Sequence, residues 1–193
     1  MTNSFDFDKF RSLLYDASRT AFLAIQHAHV NEHFYSFALF TSGDMAYVFP
    51  TSCTYDGLTQ AAQKYMDQKW DKGRSLEKLR AELKWSPADS PLHTEGKAHF
   101  EEVNAFIENI SDIIDDLPDD EFDVFVAQFM DLCLDVLKRL DREGIFGLSE
   151  QRNNITINLL TGDQSDEDMQ KYAKLLNPAA VYERFCVELS AQA

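Results

Sequence analysis

The sequence predicts an α+β fold: a small, at least partly antiparallel sheet covered by several helices. Three observations carry this. Residues 33–50, HFYSFALFTSGDMAYVFP, read as two strands around a tight turn. Residues 154–160, NITINLL, alternate as a third strand. Most of the remainder shows apolar stripes at helical spacing. With 193 residues the chain reads as one domain, 1–193, able to bury roughly 70% of its unfolded surface.

Residues 5–29 predict a long helix, with Phe10, Leu13, Leu14, Ala17, Ala21, Ala24, Ile25 and Ala28 on one face and Ser4 or Asp6 as its cap. In the hairpin, strand alternation places Tyr35, Phe37 and Leu39 on one side and Phe34, Ser36, Ala38 and Phe40 on the other. Both sides are largely apolar, so this strand is central or covered twice. Ser42-Gly43-Asp44 suits a two-residue type II′ turn, Met45–Phe49 return antiparallel, and Pro50 ends the strand because it has no N–H to donate. Thr54 caps a helix to about Asp67, with Asp56 in its first turn. Residues 67–75 form a loop, and 75–83 a helix running into an extended segment. Residues 86–96, SPADSPLHTEG, are the clearest loop. Phe100, Val103, Phe106, Ile107, Ile110, Ile113 and Ile114 mark one helix, and Phe122 to Leu140 another; the short link at Leu117-Pro118-Asp119-Asp120 predicts that the two pair antiparallel. Beyond the third strand, Thr161-Gly162-Asp163 turns, Ser165 opens a short helix with a capping-box-like start, and Asn177-Pro178 opens the last.

Three segments resemble a known family. They are Phe34-Tyr35-Ser36-Phe37-Ala38-Leu39-Phe40-Thr41 with the Gly43 turn and Tyr47-Val48-Phe49-Pro50-Thr51; Leu83-Lys84-Trp85-Ser86-Pro87-Ala88-Asp89-Ser90-Pro91; and Leu176-Asn177-Pro178. Together they are similar to bacterial domain-of-unknown-function family 4303. The resemblance implies one domain over nearly the whole chain. It brings no assigned activity and no catalytic residues to transfer.

The formal charge is −15, from 33 acidic and 18 basic residues. That balance argues against nucleic acid and anionic membranes as partners and permits a basic protein. No apolar run approaches the roughly 18 residues of a membrane span, and the N-terminus MTNSFDFDKF lacks the basic start of a secretion signal, so a cytoplasmic location is expected. Cys53, Cys133 and Cys186 form no Cys-x-x-Cys pair and read as reduced thiols, with Cys53 the accessible one. Phosphate-cradle, nucleophile-elbow and His-Glu-x-x-His signatures are absent. His27, His29 and His33 are close in sequence, but spacing of this kind arises readily by chance, and no metal or cofactor is expected.

Two places remain for function. The acidic run Asp115, Asp116, Asp119, Asp120 and Glu121 forms an electronegative helical tip suited to a basic partner; its bland counterpart is a solvated face with helix capping. The loop from Trp85 to His93 offers Trp85 for stacking and Asp89 and His93 for polar contacts; its counterpart is a rigid connection with Trp85 packed inside. The expectation is a non-enzymatic protein-binding module of the bacterial cytoplasm, of the immunity-protein type, using its acidic surface. The alternative is an enzyme or small-ligand binder at the Trp85–His93 loop.

Overall fold

The structure is a computed structural model and describes residues 5–111, 114, 116–162 and 164–192. Ser4, Asp112, Ile113, Asp115 and Asp163, which enter the expectations above, lie outside the described residues. The elements are α1 (Phe7–Ala28), β1 (Phe34–Thr41), β2 (Val48–Thr54), α2 (Tyr55–Asp67), α3 (Leu76–Leu83), α4 (Glu101–Glu108), α5 (Asp119–Arg142), α6 (Ser149–Asn153), β3 (Thr156–Thr161), α7 (Asp166–Leu176) and α8 (Ala179–Ser190). Short 3₁₀ turns occupy Pro87–Asp89 and Lys97–Phe100. The α+β class holds.

The sheet is mixed, in the order β2-β1-β3, with β1 antiparallel to β2 and parallel to β3. Its first face carries Phe37, Leu39, Ile157 and Leu159 into the main core, where they meet Phe10, Leu14, Phe22 and Ile25 of α1 and Phe129, Cys133 and Leu137 of α5. Burying each large aromatic here contributes on the order of 2–3 kcal/mol. A smaller cluster lies on the other side: Tyr35, Cys53, Leu58, Trp85, Ala173, Phe185 and Leu189.

Strand alternation fails at one point. The register slips between Phe34 and Ser36, a bulge that places Phe34 on Phe37, ring centroids 4.8 Å apart, and sends Tyr35 to the opposite side against Trp85 at 5.5 Å. The faces predicted for Phe34 and Tyr35 are therefore exchanged. The hairpin also differs. Pro50 sits inside β2 opposite Leu39, tolerated because β2 is an edge strand, and the strand runs on to Thr54. The connection is longer than a two-residue turn. Met45, not Gly43, takes the left-handed conformation (φ 59°), which buries its side chain in the core, while the Ser42 hydroxyl accepts a hydrogen bond from Ala46 N–H.

Asp6 caps α1, its carboxylate accepting from Lys9 N–H at 3.0 Å. Thr54 and Ser165 cap α2 and α7 as expected. Pro178 occupies the cap position of α8 and not its first turn. After α3 the chain stays helical in conformation at Lys84 and turns back through Ser86 N–H to Leu83 C=O, where an extended segment was expected. Among the described residues α5 packs chiefly on α1, which presents an apolar stripe long enough to cover it. Gly96 (φ 81°) lets the chain pass between α1 and β2; a Cβ there would lie 3.2 Å from Ala21 Cβ.

Both outer strands are closed by asparagine amides. On β2, Asn104 of α4 accepts from Val48 N–H at 2.8 Å and donates to Val48 C=O at 3.0 Å. On β3, Asn177 accepts from Ile157 N–H at 2.8 Å and donates to Ile157 C=O at 2.7 Å. Asn177 also donates to Ala173 C=O and accepts from buried Arg152. Each amide thus stands in for one residue of a missing neighbouring strand.

Candidate functional site

The Trp85–His93 segment folds onto the β2 edge. Ser90 donates to Ser52 C=O at 2.7 Å, and Thr51 pairs with His93 as a one-residue bridge. Trp85 is 9% exposed, wedged edge-on against Phe185 at 4.8 Å. Asp89 turns toward α2, accepting from Tyr65 OH at 2.8 Å and from Ser86 Oγ at 2.6 Å. His93 stands between the rings of Phe40 and Phe49, with Nδ1 3.1 Å from Thr51 Oγ1, and burial holds its pKa below the usual value. The three residues singled out from the sequence therefore face three different neighbours and share no cavity. The slot beside Trp85, over a floor that includes Ser36, Thr51, Cys53, Thr156 and Asn158, measures about 10 Å³. That is room for one water-sized atom and too little for a substrate.

Lys84 closes the slot's outer side. Its ammonium lies 5.3–5.4 Å from the ring centres of Tyr35, Tyr55 and Trp85 and 2.8 Å from Glu188. This is a cation held by aromatic faces and one carboxylate. Cys53, expected to be accessible, is buried at the slot floor because its strand continues past Pro50, and burial pushes its thiol pKa up to about 11.

At the other end of the molecule, Asp116, Asp119, Asp120 and Glu121 are exposed; Asp115 falls outside the described residues. Asp119, Asp120 and Glu121 form the first turn of α5, where the helix dipole favours negative charge. Capping does not exhaust the acidity. Between Lys97 and Lys138 the chain carries twelve Asp and Glu and not one Lys or Arg. The ten of these that the structure describes are all exposed, and none forms an ion pair among the described residues.

Residues 14–178 match the family described as Domain of unknown function (DUF4303). The chain belongs to that family. The match takes in the whole DUF4303 sheet, both asparagine-closed edges and the acidic helices, and it starts and ends inside α1 and beside α8. No curated protein and no solved structure matches the chain.

One constellation of this DUF4303 domain was not anticipated. His29, at the end of α1, bridges two carboxylates, with Nδ1 2.8 Å from Glu32 and Nε2 2.8 Å from Glu95. Glu32 also accepts from Thr54 Oγ1 at 2.5 Å, and Thr54 Oγ1 in turn accepts from Gly57 N–H. Burial opposes charge on the imidazole, but the hydrogen bonds and charges of Glu32 and Glu95 outweigh it and raise the His29 pKa. Glu32 is lowered, first by the Thr54 hydroxyl. Thr54 as a helix cap was readable from the sequence; its tie to Glu32, 22 residues away, and that of His29 to Glu95, 66 residues away, were not. Among the described residues no three His, Cys, Asp or Glu side chains group as a metal site, and no helix is long and apolar enough to cross a membrane.

Proposed function

We propose that this DUF4303 domain is a non-enzymatic docking module of the bacterial cytoplasm that presents its acidic α4–α5 region to a basic protein. The observation that carries the reading is the one-sided charge: ten exposed acidic side chains in a stretch that holds no Lys or Arg, none with an ion-pair partner among the described residues. Glu101 and Glu102 sit in the first turn of α4 and Asp119, Asp120 and Glu121 in that of α5, so dipole compensation leaves Glu108, Asp116, Asp123, Asp131 and Asp135 for another role. Such a surface steers a basic partner from a distance and suppresses acidic ones. An immunity protein that neutralises a basic toxin is one protein of this type, by analogy of class.

The test uses the intact chain and a variant carrying Asp116→Asn, Asp119→Asn, Asp120→Asn and Glu121→Gln as baits in an extract of the source cells. Circular dichroism first establishes that the variant is folded. The expected result is one basic protein retained by the parent at about 50 mM salt, weakened at least about tenfold at about 500 mM, and lost by the variant. Equal retention by both baits refutes the acidic surface.

A further inference from the structure

A second cavity lies at the opposite end of α1, where β1 and β3 begin. It has a volume of about 350 Å³ and is lined by Gln26, Glu32, His33, Phe34, Phe37, Tyr55, Gln151, Asn154 and Ile155. This volume lies within the ~300–1,000 Å³ usual for small-molecule sites. The bulge in β1 builds the floor: it turns Phe34 onto Phe37 and so lays an aromatic platform beside Ile155. Three acceptors stand around the floor, beside the His33 ring, the Gln151 amide and the Tyr55 hydroxyl, which can each donate or accept. Gln26 commits its Nε2 to Phe22 and Ile145 carbonyls, which leaves its amide oxygen; Asn154 commits Nδ2 to Glu150 C=O and likewise leaves its oxygen. Glu32 is held ionised and fixed in place by Thr54 and His29. No Lys or Arg lines the cavity. Lys84, across the Tyr55 ring, is balanced by Glu188 at 2.8 Å.

From this arrangement we propose that the cavity binds a small aliphatic primary amine, its ammonium on Glu32 and the amide oxygens of Gln26 and Asn154, its chain on Phe34 and Tyr55. An ammonium offers donors only, which matches the oxygens of Glu32, Gln26 and Asn154, and it is attracted to aromatic faces. One histidine, His29, is shared by two carboxylates, Glu32 and Glu95, so an anion would meet a net negative charge and a neutral diol would leave that charge unanswered. The inference is independent of the docking surface, which lies at the other end of α1.

Three ligands of one length separate the possibilities: 1,5-diaminopentane, 1,5-pentanediol and glutarate. Isothermal titration at about 150 mM salt is expected to show saturable 1:1 binding of the diamine alone, with Kd below about 1 mM. Asn154→Lys, a change at an exposed position that places a like charge on the rim, is expected to weaken it by at least about tenfold, as is Glu32→Gln. The variant neutralised at Asp116, Asp119, Asp120 and Glu121 is expected to bind the diamine as the parent does. No saturation by about 10 mM, equal binding of the diol or glutarate, indifference to Asn154→Lys, or loss in the neutralised variant would each overturn the proposal.

Discussion

Replacing Asn177 by Ala removes one side-chain amide and orphans both backbone groups of Ile157 at once. Ile157 N–H (2.8 Å) and Ile157 C=O (2.7 Å) lose their partner, Ala173 C=O keeps only the backbone N–H of residue 177 (3.1 Å), and Arg152 loses a fourth contact at 3.2 Å. Ile157 is fully buried, so its two groups have no ready access to water. At ~1–3 kcal/mol for each buried group left unpaired, the two strand groups alone cost about 2–6 kcal/mol. Water entering the space left by the half-exposed amide offsets part of this, so about 2–4 kcal/mol is expected. That is a large share of a typical ~5–15 kcal/mol total and corresponds to a Tm lower by about 5–15 °C. Urea titration followed by circular dichroism measures it as a lower midpoint at unchanged slope. Asn177→Asp sharpens the test: it keeps the acceptor for Ile157 N–H but turns an oxygen toward the Ile157 and Ala173 carbonyls, so a loss of similar size is expected near pH 7. A loss under about 0.5 kcal/mol in the Ala variant would refute the claim that this amide closes the β3 edge.

The remaining predictions concern titration and reactivity. Because the His29 pKa is raised, its contribution to stability is full below the ordinary histidine value and fades as pH rises through the raised one. The stability difference between the parent and His29→Gln is therefore expected to shrink from pH 6 to pH 9; a difference constant over that range contradicts the bridging role. Glu32, being lowered, contributes above the ordinary carboxylate range and loses its contribution as the solution is acidified through its lowered pKa, so Glu32→Gln is expected to cost less near pH 3 than near pH 6. Cys53, buried and with its thiol near 11, is expected to resist alkylation in the native state at pH 8 while modified in urea. Rapid labelling of Cys53 in the folded protein would show that the Trp85 wedge opens.

Periodicity carried most of the architecture. The stripes of α1 and α5 and the Thr54 and Ser165 caps depend on neighbours within a turn, and the sequence displays such neighbours directly. What it hid depends on partners far along the chain. The bulge at Tyr35 exchanges two aromatic faces because Phe34 is drawn onto Phe37 and Tyr35 toward the α3–α8 side, with its hydroxyl on Lys84 C=O. Pro50 reads as a strand end unless β2 is known to be an edge. The His29–Glu32–Glu95 bridge joins three ordinary-looking polar residues that only folding brings together. Trp85 was conspicuous in sequence, yet its surroundings fill around it, whereas the larger cavity is lined by residues with no motif at all.

The parallel pairing of β1 with β3 has a kinetic side. Ser36 lies beside Thr156, 120 positions later in the chain. Emerging from the ribosome, β1 and β2 can meet early, but one flank of β1 stays unpaired until α1 to α6 have been made. Closing so long a loop before any contact rewards it slows folding. A chain halted before residue 156 would therefore display the apolar strand FYSFALFT with a bare edge, the form in which this domain is most prone to aggregate or to recruit a chaperone.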